Sequence, residues 1–179
     1  MPKVMKLTSI ISIVLTLLFV ALFGATSYEI FSVLAITAGT IAYHFSMRLV
    51  VGGVYDALFN NKVDYRKKWF RISKFEQKLY NLLKIKEWKG YFPTYDPDAF
   101  DKQTHSWEEI AGAMCQSELV HETIIVLSFI PIFASLWFGE ALVFVLTSLF
   151  SALFDSIFVV IQRYNRPRVL RILNKNSGD

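Results

Sequence analysis

The residues best suited to chemistry gather in one short stretch, Gln162-Arg163-Tyr164-Asn165-Arg166-Pro167-Arg168. It follows directly on an apolar run from Ala141 to Ile161, so its arginines and an amide stand where a hydrophobic helix leaves a membrane. A guanidinium presents a planar fork of donors that meets phosphate or carboxylate with two parallel hydrogen bonds. A flank that only sets orientation needs charge, and lysine would serve as well. Here every cation before Lys175 is arginine. Arg163, Asn165, Arg166 and Arg168 are therefore candidates for holding an anionic ligand as well as fixing topology. Pro167 is expected to end regular helix nearby.

A second group falls at the start of another apolar run. Glu118, His121 and Glu122 share a helical face by i, i+3 and i+4 spacing. His44, Arg48 and Tyr55 share a face of an earlier run, and Asp155 lies about two turns before Arg163. Ionisable side chains in a bilayer are costly and are usually paired or functional. Two readings stay open for them. In one, Arg48 pairs with Asp155 or Glu118 simply to knit helices; in the other, Arg48, Asp155, Glu122 and the histidines face a ligand. Cys115 is the sole cysteine, which excludes a disulfide framework and a cysteine metal cluster. A lone thiol with no signature around it is more often inert. The chain has no nucleophilic serine elbow, no metal-spaced histidine cluster and no Asp-x-x-x-Asp magnesium motif. No metal or cofactor is expected, and no nucleic-acid partner.

The elements that must position these residues are membrane helices. Of 179 residues, 54% are hydrophobic, and charge is confined between long uncharged runs. That pattern marks an all-α polytopic membrane protein, read as a single domain. Spans are expected at about 7–28, 30–59, 119–137 and 141–161. A basic start followed by an apolar stretch also describes a signal peptide, but the next apolar run begins almost at once and argues for a helical hairpin. Residues 60–112 form a hydrophilic middle, in which Trp69, Ile72, Phe75, Leu79 and Leu82 recur at helical spacing among lysines. A basic amphipathic helix in the headgroup region fits them. Lys89-Gly90-Tyr91-Phe92-Pro93 should end that helix, Pro93 to Gln103 reads as an acidic irregular loop, and Ser106 is the candidate cap of the next helix.

Charge sets the orientation. Of the 19 Lys and Arg, all but Arg48 lie in the N-terminal tail, the middle segment or the tail 162–179, and the two hairpin turns contain none. Both termini and the middle segment are therefore expected in the cytosol. The groups named above then all fall in the cytosolic half of the spans.

The arginine stretch, with Ser117-Glu118-Leu119-Val120-His121 and Ile85-Lys86-Glu87-Trp88-Lys89 before it, resembles the glycosyl-4,4'-diaponeurosporenoate acyltransferases. These are small bacterial membrane proteins of carotenoid (staphyloxanthin) biosynthesis. The likeness runs from about Phe70 to Leu173. Where the family pattern looks like Glu-Thr-x-Arg-Ala-Glu-x-x-His-Trp, this chain keeps Glu118 and His121. It has Ala113, Met114, Gln116 and Ser117 at the earlier positions and Glu122 for the tryptophan. The resemblance implies a multi-pass protein of the bacterial cell membrane that moves a fatty acyl group to a hydroxyl of a glycosylated isoprenoid, carotenoid or other glycolipid. The implied donor is acyl-CoA, a co-substrate whose phosphates suit the arginines. Histidine titrates in the right range to take the hydroxyl proton. His121 is the first candidate for that base, with Glu118 or Glu122 orienting it, and His44 is the second. Trp88 joins the substrate-binding candidates. The competing class is a non-catalytic protein that binds or transfers a lipid phosphate or glycolipid with the same residues.

Overall fold

Uncharged runs of this length become helices because a bilayer leaves the backbone no other partner for its polar groups. The structure, a computed structural model, describes residues 2–92 and 97–176. Its α-helices are α1 (Pro2–Thr26), α2 (Glu29–Phe59), α3 (Lys74–Leu82), α4 (Ile85–Trp88), α5 (Trp107–Leu127), α6 (Ile130–Phe138) and α7 (Ala141–Asn176), and no strand occurs among the described residues. Four stretches are long and apolar enough to cross a membrane: Lys3–Thr26, Glu29–Phe59, Trp107–Phe138 and Ala141–Lys175. The all-α, four-span architecture with a helical segment between the second and third spans is therefore present.

Three boundaries differ from expectation. The third span starts earlier, at Trp107. Ser106 caps it: its hydroxyl accepts the Glu109 N–H (3.2 Å), and the Glu109 carboxylate accepts the Ser106 N–H (2.8 Å). This span is also interrupted at Ser128–Phe129, where Pro131 opens α6. Proline has no N–H for the Leu127 carbonyl, which instead accepts the Tyr43 hydroxyl at 2.9 Å.

The helix of the fourth span does not end near Pro167. α7 runs through it to Asn176. The carbonyl of Arg163 loses its donor, but side chains on the preceding turn are tied to other elements, as described below, and hold the backbone helical.

The middle segment is not one helix from Trp69 to Leu82. Lys68–Phe70 forms a 3-10 turn, Arg71 is extended, and α3 begins only after Ser73, whose hydroxyl and backbone form a capping box with Glu76. Trp69 and Ile72 thus precede the helix. α3 ends at Leu82, with Lys84 at φ +51° turning the chain into α4. Of the expected acidic loop, residues 93–96 lie outside the described residues, and Asp98–Phe100 makes a 3-10 turn.

The chain divides into two compact units, Met1–Gly53 with Thr123–Asp155, and Val54–Glu122 with Ser156–Asp179. In the first, α1 and α2 form an antiparallel hairpin. Ser9 bonds Ser46 (2.6 Å), and Gly39 faces Thr16. Ala35, Ala38 and Ala42 are buried, small residues that let membrane helices approach closely. Ile10, Leu17, Val50 and Phe150 stay exposed, as lipid-facing positions should.

In the second unit, Val63, Phe70 and Cys115 pack together, with Tyr65 and Leu119 against them. α5 meets the 60–63 turn at Gly112, where a Cβ would stand 2.7 Å from the Asn61 carbonyl oxygen. Only glycine permits that approach. Gln116 then fixes the turn, accepting the Asn61 N–H at 2.7 Å and donating to Asp56 at 2.8 Å. Gln116 is one of the departures from the family pattern, and here it holds backbone.

Candidate functional site

Glu118, on α5, is completely buried, and a buried carboxylate needs a counter-charge. α7 supplies two, since Arg163 and Arg166 stand three residues apart on one face. Arg163 Nη1 meets Glu118 Oε1 at 2.5 Å, and Arg166 Nη1 meets Glu118 Oε2. The 68–71 turn completes the arrangement, because the last carbonyls of a helical turn have no partners within it. Phe70 O accepts from Arg166 Nη2 at 2.5 Å, Arg71 O from Arg163 Nη2 at 3.3 Å, and Trp69 O from Arg163 Nη1 at 3.4 Å. Arg166 also lies over the Phe70 ring, 5.1 Å from its centroid, and donates to Cys115 Sγ at 3.7 Å. Its exposure is 1%.

A second carboxylate balances the charge. Arg163 donates from Nε to Glu76 at 2.8 Å, and the Tyr80 hydroxyl donates to the same oxygen at 3.3 Å. Burial works against ionising Glu76, but the Ser73 backbone N–H and the Arg163 guanidinium outweigh it and hold the carboxyl below the usual range. Burial raises the Tyr80 phenol above its ordinary value. Two guanidiniums thus face two carboxylates. The forks that sequence reasoning reserves for a ligand are occupied by Glu118, Glu76 and backbone carbonyls. Glu76 carries no signal in sequence beyond its capping position.

Beside this cluster runs an aromatic ladder. The His121 imidazole stacks on Phe158 (4.8 Å between centroids, 13° between planes). Phe92 meets Phe158 edge-on at 6.1 Å, and Trp88 meets Phe92 edge-on at 5.7 Å. His121 and Glu122 are half-buried, and Glu122 accepts the Trp69 indole N–H at 2.9 Å. Both Glu118 oxygens belong to the arginines, so Glu118 anchors the turn of α5 that carries His121.

One further group was absent from the sequence candidates. Lys89 donates to Asn165 Oδ1, and its ammonium lies 5.2 Å from the centre of the Tyr164 ring. Arg168, which is exposed, lies over the same ring at 4.8 Å and donates to the Tyr164 hydroxyl at 3.0 Å. Burial and then the nearby Arg168 charge push the Lys89 ammonium below its ordinary value. Among the described residues, no carboxylate forms an ion pair with Lys89 or Arg168. The same segment therefore touches α7 at two levels: Lys89 at Asn165, and Phe92 at Phe158. Those levels lie about 10 Å apart along the helix. The one clue in sequence was Lys89 following Trp88 within the resembling stretch.

Arg48, His44 and Asp155 belong to the first unit. Arg48 pairs with Asp155 and donates to Ser151 (2.8 Å) and to the His44 carbonyl (3.0 Å). Of the two pairings weighed for Arg48 from sequence, with Asp155 or with Glu118, the one present is with Asp155.

These features define an α-helical membrane protein with a neutral arginine–carboxylate lock, a histidine on an aromatic ladder and two cations without an ion-pair partner among the described residues. Residues 66–175 match the glycosyl-4,4'-diaponeurosporenoate acyltransferase family model, and the chain belongs to that family. No curated protein and no solved structure matches the chain. Of the two classes left open above, membership selects the enzyme: the chain is a membrane acyltransferase of carotenoid biosynthesis, acting on a glycosylated carotenoid with an acyl donor. The matched residues take in the lock, the ladder and the cation pair.

Proposed function

We propose that the chain moves a fatty acyl group from acyl-CoA to a hydroxyl of the glycosyl head at the cytosolic face of the bacterial cell membrane. The observation that carries this reading is the pair Lys89 and Arg168, both over the Tyr164 ring, positive and without an ion-pair partner among the described residues. Phosphates are the natural occupants of such a pair, and charge-assisted hydrogen bonds to them are among the strong ones. The His121 ladder lies further back along α7. A donor with an anionic end and a reactive thioester on an extended arm can engage both.

His121 takes the proton of the attacking hydroxyl while that oxygen bonds to the thioester carbonyl carbon. The C–S bond then breaks, the thiolate leaves, and the proton passes from the imidazolium to the departing sulfur. Trp88, Phe92 and Phe158 offer apolar surface to the acyl chain. Arg163, Arg166 and Glu118 position the helices, and Glu122 is held by Trp69. The clustering of Lys and Arg outside the hairpin turns supports a cytosolic position for both termini and residues 60–112, on the side where acyl-CoA is found.

The test uses purified protein with a glycosylated carotenoid acceptor and two radiolabelled donors that share an acyl chain. One is the CoA thioester, the other the N-acetylcysteamine thioester, which lacks phosphates. Efficient transfer from the CoA ester alone is expected. Equal kcat/KM for both donors would remove the anion site from the proposal.

A further inference from the structure

Two buried polar side chains of the first unit have no hydrogen-bond partner among the described residues. His44 is 5% exposed, and neither Nδ1 nor Nε2 is bonded; Ser148 is fully buried, and its hydroxyl oxygen is also unbonded. Their neighbours on the same helices are in a different condition. One turn after His44, Arg48 reaches the His44 carbonyl, Ser151 and Asp155. Three residues after Ser148, Ser151 receives Arg48 and pairs with Ser128 at 2.8 Å. The two unbonded groups therefore each lie one turn back from the two ends of a satisfied network.

A buried polar group without a partner is costly, and more so within a bilayer, where hydrocarbon offers no hydrogen bonds. Two of them on one seam point to a ligand that completes both. Charge narrows the ligand. Arg48 and Asp155 offset one another, so neither an anion nor a cation finds an unbalanced counter-charge from this pair. A neutral imidazole supplies one N–H and one bare nitrogen, and serine supplies a hydroxyl, so a group that both donates and accepts suits them. We infer that His44 and Ser148 form a binding site for a hydroxyl borne on a neutral, membrane-dissolved lipid. The site is independent of the acyl-transfer reading.

The test is a binding measurement on the full chain, labelled with 15N-histidine and held in phosphatidylcholine nanodiscs. 1-Dodecanol is the probe, and dodecane the control for the apolar chain. The His44 ring signals are assigned by their loss in His44→Gln. Dodecanol should move them saturably and dodecane should not. Ser148→Ala should weaken the apparent affinity about threefold to tenfold, the value of one hydrogen bond. It should not lower the melting temperature of the dodecanol-free protein, because the hydroxyl it removes is unbonded. His44 signals that ignore dodecanol mark a site filled by water only and overturn the inference. An equal response to dodecane, or an affinity indifferent to Ser148→Ala, overturns it as well.

Discussion

Substitutions at Arg166 separate a structural lock from a ligand clamp. Arg166 donates to Glu118 and to the Phe70 carbonyl, lies on the Phe70 ring, and is 1% exposed. A lysine keeps the charge but can reach only one of the two acceptors. The orphaned one then costs about 1–3 kcal/mol. Arg166→Met removes the charge and leaves Glu118 with Arg163 alone, a loss of about 3–5 kcal/mol by analogy with other broken buried pairs. Hydrogen exchange of the protein in nanodiscs reads these values directly. Amides opening with the lock, in peptides spanning residues 66–72 and 113–121, should exchange about tenfold faster in Arg166→Lys and at least a hundredfold faster in Arg166→Met. Arg168→Lys should leave both peptides unchanged, since Arg168 is exposed and bonds only Tyr164 among the described residues. Unchanged exchange in Arg166→Met, together with a raised KM for the donor, would refute the lock and return Arg166 to the ligand.

Lys89→Ala and Arg168→Ala should each raise KM for acyl-CoA about tenfold while leaving kcat near its parent value, measured by initial rates. Glu76 is held below the usual carboxylate range, so its ionic contribution to stability is complete above its unfolded value near 4.5 and is lost as pH falls through the lower folded value. Melting curves at stepped pH should show that loss in the parent protein and a flatter response in Glu76→Gln. Phe75 and Leu82 are 74% and 79% exposed on α3, among Lys74, Lys78 and Lys84, so Phe75→Glu with Leu82→Glu should reduce protection of α3 by anionic nanodiscs. Equal protection in neutral and anionic discs would place another partner on that face. Single cysteines in a Cys115→Ser background should label from outside the cell at Thr26 and Phe138, and from inside at Asn174.

Much of the fold was legible because membrane helices announce themselves by length and by the absence of charge. The Ser106 cap was legible too, since a capping box is local. What escaped depended on groups far apart in sequence. Nothing near Arg163 or Arg166 says that Glu118 and the carbonyls of residues 69–71 will fill their forks, so an arginine cluster at a membrane boundary reads as a ligand site. Pro167 reads as a helix stop on local rules, which ignore the bonds that hold Arg163 and Arg166 within the turn that loses its hydrogen bond. The stripe from Trp69 to Leu82 fitted one helix by period. Yet Ser73 competes for the helix start with a capping box, leaving Trp69 free to bond Glu122. Lys89 was hidden among many lysines until Asn165 and Tyr164 marked it out.

The role of His121 is tested most directly by single-turnover transfer. Enzyme in excess is mixed with labelled acyl-CoA and glycosylated carotenoid, and donor binding is measured separately by equilibrium dialysis. His121→Ala should bind acyl-CoA as the parent does, because Lys89 and Arg168 are untouched, while the transfer step slows by roughly 10²-fold or more. Full transfer in His121→Ala would contradict the account and remove this residue from the chemistry.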